Sequence, residues 1–137
     1  MLFRSPMTMF KHILLVVALL IAGPVAAHQD SKFFKGPNGG HIVDVGGGKQ
    51  HWELVAAGGD LILYVTDKDE KSVDSTGGAA EAQVLIAGKN FTVALAPAGG
   101  NILKGTGPFK AVKGMRVIVK STKVAGESFQ ARLTPLQ

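Results

Sequence analysis

The residues that could do chemistry concentrate in one stretch, residues 36–55, which reads GPNGGHIVDVGGGKQHWELV. This stretch holds two histidines, His41 and His51, two acids, Asp44 and Glu53, and the only tryptophan of the chain. Imidazole nitrogens and carboxylate oxygens are common ligands of divalent transition metals. The stretch is therefore the first candidate for a metal site that binds copper or zinc.

Strand register decides which of these side chains meet. A two- or four-residue turn centred on Gly47 and Gly48 pairs Asp44 with His51 and puts the neighbouring valines, Trp52 and Leu54 on one face, as core burial requires. Asp44, His51 and Glu53 then share the opposite face within cross-strand reach. These three side chains could bind a metal ion. They are equally consistent with a solvated polar face on which the two acids stabilise protonated His51.

The same register places His41 on the core side at the beginning of its strand. We expect His41 to be half-buried and to hydrogen-bond to a backbone carbonyl. A three-residue turn at residues 46–48 would instead bring His41, His51 and Glu53 to one face. That alternative is disfavoured because it would turn Trp52 away from the valines.

The beginning of the chain has the pattern of a secretory signal peptide, residues 1–27. Positive residues precede an apolar run at residues 13–22, and small residues at positions 25–27 suit a signal peptidase. The run is too short to span a bilayer. We expect cleavage after residue 27, an N-terminal arm at residues 28–35, a domain at residues 36–137, and a periplasmic location.

Cleavage at that point would make His28 the first residue of the mature protein. Its free amine and its imidazole could then chelate one copper ion as a pair. With His41 or His51 as a third nitrogen ligand, the site would suit Cu(II).

Composition excludes several classes of function. The chain has no cysteine, so it forms no disulfide and has no thiolate ligand or cysteine nucleophile. Two of its basic residues lie in the leader, so the formal charge from residue 28 onward is +3, and the basic residues are not clustered. We therefore expect no nucleic-acid partner and, after cleavage, no membrane attachment. No nucleophile–base pair can be named, so we expect no enzymatic activity.

Short apolar–polar alternations closed by glycine or proline follow the arm, and they predict an all-β domain. We expect about eight short strands in a single antiparallel, immunoglobulin-like β-sandwich. The predicted strands are residues 41–45, 50–56, 61–66, 82–87, 91–96, 101–104, 114–120 and 128–133, with a short edge strand at residues 71–74. In the last hairpin, Arg116, Lys120 and Arg132 should share the outer face.

The motifs of residues 36–41 (GPNGGH), 51–55 (HWELV) and 61–67 (LILYVTD) resemble the N-terminal module of heavy-metal efflux adaptor proteins, also called membrane fusion proteins. In that module a G-P-H-G-G sequence precedes an E-L strand pair, and Asn38 stands where the module often has histidine. The resemblance implies a periplasmic accessory domain that handles metal beside efflux components. A looser similarity, through His28 and the fold class, is to small periplasmic copper carriers.

Two functions follow as expectations. The first is a soluble periplasmic accessory protein of metal handling or metal efflux, with Cu(II) or Zn(II) bound by His28, His41 and His51 and with Asp44 and Glu53 as supporting oxygens. The second is an interaction module without metal, which binds a partner through a sheet edge or through the basic face of the last hairpin.

Overall fold

Eight antiparallel β-strands run through residues 33–137, the part of the chain that the computed structural model describes. The strands are β1 (His41–Val45), β2 (Gln50–Ala57), β3 (Asp60–Asp67), β4 (Ala79–Ile86), β5 (Lys89–Pro97), β6 (Ile102–Thr106), β7 (Arg116–Thr122) and β8 (Gln130–Leu133). No helix, and so no helix able to cross a membrane, occurs in this described part. The predicted all-β antiparallel class and the number of strands are confirmed.

The strands form one sheet in the order β1-β2-β3-β6-β5-β4-β7-β8. Its two end strands contact each other, and the backbone N–H of Thr134, just after β8, donates a 2.8 Å hydrogen bond to Nδ1 of His41 on β1. The sheet is therefore nearly barrel-shaped, where we had expected a clear sandwich. The alternation of apolar and polar residues identifies the inner face of each strand. Because a sandwich and a barrel have the same alternation, the sequence pattern does not distinguish them.

The inside of this curved sheet is the core. Its largest fully buried side chains are Trp52, Leu54, Leu61, Leu63, Leu95, Leu103, Met115 and Leu133. The alternation predicted most of this inner set. Val43 and Phe129, which it also places on the inner face, are partly buried and pack against the core.

Strand boundaries differ from the prediction mainly around the glycine-rich connection before β4. That strand begins at Ala79, because Ala79 and Ala80 pair with Thr122 and Ser121 of β7. The short edge strand expected at residues 71–74 is reduced to one isolated bridge that joins Ser72 to Thr66.

The outer edge of β1 is covered by the arm. Ile42 donates its backbone N–H to the carbonyl of Phe34 at 2.9 Å, and Lys35 forms a bridge with His41. The ring of Phe33 lies 5.0 Å from the imidazole of His41, centroid to centroid, whereas Phe34 is 60% exposed. The beginning of this edge, at His41 and Ile42, is therefore not open for pairing with a partner strand.

Candidate functional site

The first hairpin has the predicted register. Asp44 pairs with His51 and Val43 pairs with Trp52, and the turn is closed by a hydrogen bond from the Gly48 N–H to the Val45 carbonyl at 3.1 Å. Trp52 is fully buried on the inner side. The strand alternation then places Asp44 and His51 on the outer side, as the packing argument required.

A cleft of about 320 Å³ lies on the outer face of β1, β2 and β3. Ile42, Glu53 and Tyr64 form one row across these strands, because Ile42 pairs with Glu53 and Glu53 pairs with Tyr64. The remaining lining residues are Pro37, Asn38, His51, Thr66, Glu70 and Asn101. The lining thus combines an imidazole, a phenol and carboxylates with apolar surface, and it includes no lysine or arginine.

Glu53 belongs to the floor of this cleft, yet its side chain is committed to the protein. The residue is only 2% exposed. Its carboxylate accepts hydrogen bonds from the Asn38 backbone N–H at 2.9 and 3.1 Å, from Asn38 Nδ2 at 2.9 Å and from the Gly40 N–H at 2.8 Å. A buried carboxylate is stable when donors of this kind replace its water. Glu53 therefore organises the glycine loop at residues 36–40 and is not free as a ligand.

Two of the three glycines of this loop, Gly36 and Gly40, are required by close approach. A Cβ atom on Gly36 would overlap the Glu53 carboxylate, and a Cβ on Gly40 would overlap the backbone carbonyl of Leu54. The loop also closes on itself, since the Gly36 N–H donates to the Gly40 carbonyl at 2.8 Å. The two halves of the GPNGGH and HWELV pattern are thus one structural unit, built around the carboxylate of Glu53.

His51 and Asp44 form a second feature at the margin of the cleft. Nε2 of His51 lies 3.6 Å from Oδ1 of Asp44, and their side chains are 22% and 73% exposed. This polar pair is what the sequence predicted for the outer face. Both interpretations of that face included Glu53, which is held by the glycine loop. The distance between the two remaining members suits a solvated polar pair and also two ligands of a cation.

His41 lies on the inner side of β1 and is only 4% exposed. It is therefore more deeply buried than the half-buried position we expected. The expected hydrogen bond to a backbone carbonyl is also wrong. Nδ1 of His41 accepts the backbone N–H of Thr134 at 2.8 Å, which places the proton of the neutral ring on Nε2. Burial lowers the pKa of His41 below its ordinary value of 6.5, because the charged form loses its hydration.

The predicted metal ligands are therefore only partly brought together. His51 and Asp44 lie side by side, Glu53 is held by the glycine loop, and His41 is on the other face of the sheet. Residues 33–137 contain no group of three or more histidine, aspartate or glutamate side chains placed to hold a metal ion. His28 and the proposed cleavage point lie outside the described residues.

Sequence reasoning missed the four contributors to the cleft that lie outside residues 36–55, namely Tyr64, Thr66, Glu70 and Asn101. The sequence pattern predicts Tyr64 only as a strand residue. The parity of β3 does place it on the outer face, beside Glu53 of the neighbouring strand. Glu70 and Asn101 belong to connections after β3 and before β6, whose spatial proximity no local pattern encodes. The sequence also carries no sign that Asn38 donates a hydrogen bond to Glu53.

Neither Glu53 nor the cleft above it could be assigned a role through known relatives. No protein-family model, no curated protein and no solved structure matches this chain.

Proposed function

We propose that this chain is an exported, non-catalytic interaction module that holds a short peptide segment of a partner in the cleft of β1, β2 and β3. The observation that carries the proposal is the cleft itself, with Ile42 and Tyr64 half-buried on either side of Glu53. Clefts that combine apolar walls with a few polar groups are the usual form of a binding site. The covered edge of β1 makes strand addition there a weaker alternative.

The lining indicates the chemistry of the segment. Ile42 and Tyr64 offer apolar and aromatic surface to an aliphatic or aromatic side chain. Glu70 on the rim and Asp44 beside His51 carry negative charge, which complements a lysine or arginine of the partner. We therefore propose a segment in which an apolar residue neighbours a basic one.

The export signal and the resemblance suggest where the module acts. The pattern of residues 1–27 supports secretion to the periplasm. The resemblance of the glycine loop and β2 to the N-terminal module of heavy-metal efflux adaptors supports a place beside metal-efflux components. The module would serve such a system as an accessory part that contacts another periplasmic protein.

Selection from a random peptide library displayed on phage tests this function. The mature protein should enrich peptides that carry an apolar residue next to lysine or arginine. Binding of these peptides should weaken about tenfold in Ile42→Ser and in Tyr64→Ala, the effect expected of a central contact. Ile118→Ser, a half-buried residue on the outer face of β7, is the matched control and should leave binding unchanged. Failure to enrich any peptide, or insensitivity to both cleft variants, would refute the proposal.

A divalent cation bound by His51 and Asp44 is the second candidate, and one distance favours it. Two ligand atoms at the usual length from a tetrahedral zinc ion lie roughly 3.4 Å apart. The 3.6 Å between His51 Nε2 and Asp44 Oδ1 is close to that value, so the pair could accept an ion with little movement. Water, or the amino terminus at His28, would supply the remaining ligands.

Calorimetric titration of Zn(II) and Cu(II) into the mature protein tests the metal candidate. His51→Ala should abolish binding, and His41→Ala should not, because His41 lies on the other face. A form with one extra residue before His28 distinguishes an amino-terminal copper site, which that residue would destroy, from a site in the hairpin. Binding no tighter than about 10 μM, or roughly −7 kcal/mol, would rule out metal handling.

A further inference from the structure

The outer face of β4, β7 and β8 lies away from the cleft and combines exposed cations with exposed apolar side chains. Register places Leu85 of β4 beside Arg116 of β7, and Ile118 of β7 beside Arg132 of β8. Leu85 is 43% exposed, Ile118 is half-buried, and both arginines are exposed. The prediction that Arg116 and Arg132 share one outer face is confirmed.

The connection between β6 and β7 extends this surface at the end where β7 begins. Val112 is 41% exposed there, and exposed Lys110 and Lys113 flank it closely. The Met115 N–H donates a 3.2 Å hydrogen bond to the Val112 carbonyl. This turn fixes the position of Val112 just before β7. The basic surface, defined as Leu85, Lys110, Val112, Lys113, Arg116, Ile118, Lys120 and Arg132, thus contains two of the three large apolar side chains that are most exposed in the described chain.

Charge is distributed unevenly along the barrel. Within residues 33–137 none of the cations of the basic surface forms a salt bridge, and the one acid of the neighbouring strand positions is Glu81, beside Lys120. The acids instead gather at the other end, where β3 and β1 finish and β8 begins; they are Asp44, Asp67, Asp69, Glu70, Asp74 and Glu127. The acids thus concentrate away from most of the basic surface, and Lys49, Lys68, Lys71 and Lys123 at that end balance part of their charge.

We propose that the basic surface docks the protein on an anionic phospholipid bilayer. Lysine and arginine near a bilayer are attracted to the phosphates of acidic lipids, and aliphatic side chains between them gain by entering the interfacial region. The surface thus offers both the charge and the apolar side chains that an anionic bilayer binds. Docking of this kind is peripheral and departs from the expectation, drawn from the sequence, of no membrane attachment after cleavage. It is independent of the proposed interaction function.

Co-sedimentation with lipid vesicles tests the proposal. The mature protein should bind vesicles of equal parts phosphatidylcholine and phosphatidylglycerol, and it should bind pure phosphatidylcholine vesicles far more weakly. Each cation near the surface contributes roughly a fivefold gain in binding at low ionic strength. The double variant Arg116→Gln/Arg132→Gln should therefore bind about 25-fold more weakly.

A matched control removes the same charge from the other end. Lys68→Gln/Lys123→Gln changes two exposed lysines outside the basic surface, and it should leave vesicle binding unchanged. Leu85→Ser/Val112→Ser should lower the binding that remains at high salt, since that part depends on apolar contact. Thermal unfolding of each variant checks that the fold is retained.

Three outcomes would overturn the proposal. These are equal binding to both vesicle types, an equal loss in the control variant, and binding to poly-glutamate by a protein that ignores vesicles. The last outcome would assign the basic surface to an acidic polypeptide.

Discussion

Asn38 holds Glu53 through both its backbone and its side chain: its backbone N–H lies 2.9 Å from Oε2, and its Nδ2 lies 2.9 Å from Oε1. The carboxylate lies in the middle of β2 and would be exposed if the loop before β1 did not cover it. The relationship explains why a G-P-N-G-G sequence and an E-L pair occur together.

The first prediction concerns this carboxylate. Glu53→Gln should destabilise the protein by about 3 kcal/mol, because one amide oxygen cannot replace two carboxylate oxygens and the new NH₂ group would face the donors of the loop. Urea denaturation at neutral pH measures the loss in the free energy of unfolding. Glu81→Gln, an exposed acid on β4, is the control and should change stability by no more than about 0.5 kcal/mol. Equal effects would mean that Glu53 does not anchor the loop.

The second prediction separates close approach from backbone conformation at two glycines. Gly40→Ala should cost about 3 kcal/mol because its Cβ would overlap the Leu54 carbonyl, a backbone atom that cannot turn away. Gly47→Ala has open space but a φ of +68°, so only the left-handed conformation is penalised, at about 1 kcal/mol. Thermal or urea unfolding ranks the two variants. A Gly47 variant as unstable as the Gly40 variant would contradict the steric argument.

The sequence predicted the first hairpin in detail because its information is local. Alternation of Val43 and Val45 with Asp44, and of Trp52 with His51, leaves one register that puts Val43, Val45 and Trp52 together on the inner face. Closure of the sheet could not be predicted in this way. The contact that joins its ends connects His41 to Thr134, which is 93 residues further along the chain.

The candidate site was less predictable for a related reason. The parity of β2 correctly places Glu53 on the outer face, and from this parity alone we expect the side chain to be exposed. Burial by the glycine loop reversed that expectation, because a short loop can cover an outer face without changing the alternation. Glu70 and Asn101 belong to connections between strands. These connections have no periodic pattern, so the sequence does not predict which residues face the cleft.

The third prediction concerns His41 and pH. Burial lowers the pKa of His41 below 6.5 in the folded state, so between the folded and unfolded pKa values the unfolded chain binds a proton that the folded chain does not. The stability that His41 contributes is therefore fully present above pH 6.5 and is lost as the pH falls toward its folded pKa. Protonation of Nδ1 would also break its hydrogen bond with Thr134.

Urea denaturation across this range measures the dependence. His41→Gln keeps an acceptor for the Thr134 N–H but does not titrate, so its stability should fall less between pH 7 and pH 5 than that of the wild type. His51→Gln, which removes a partly exposed histidine, controls for the loss of an imidazole as such. If His51→Gln flattened the profile as much as His41→Gln, the dependence would not arise from His41.

The fourth prediction concerns the buried polar pair below the first turn. Gln50 is 3% exposed; its Oε1 accepts the Trp52 indole N–H at 3.0 Å, and its Nε2 donates to the Val124 carbonyl at 3.2 Å. Gln50→Met keeps the volume but leaves the indole N–H and the carbonyl buried without partners, so it should cost about 2 to 3 kcal/mol. Denaturation followed by fluorescence reads this directly, because Trp52 is the only tryptophan. Gln83→Met, on the exposed face of β4, should change stability little, and equal costs would show that these two hydrogen bonds do not stabilise the fold.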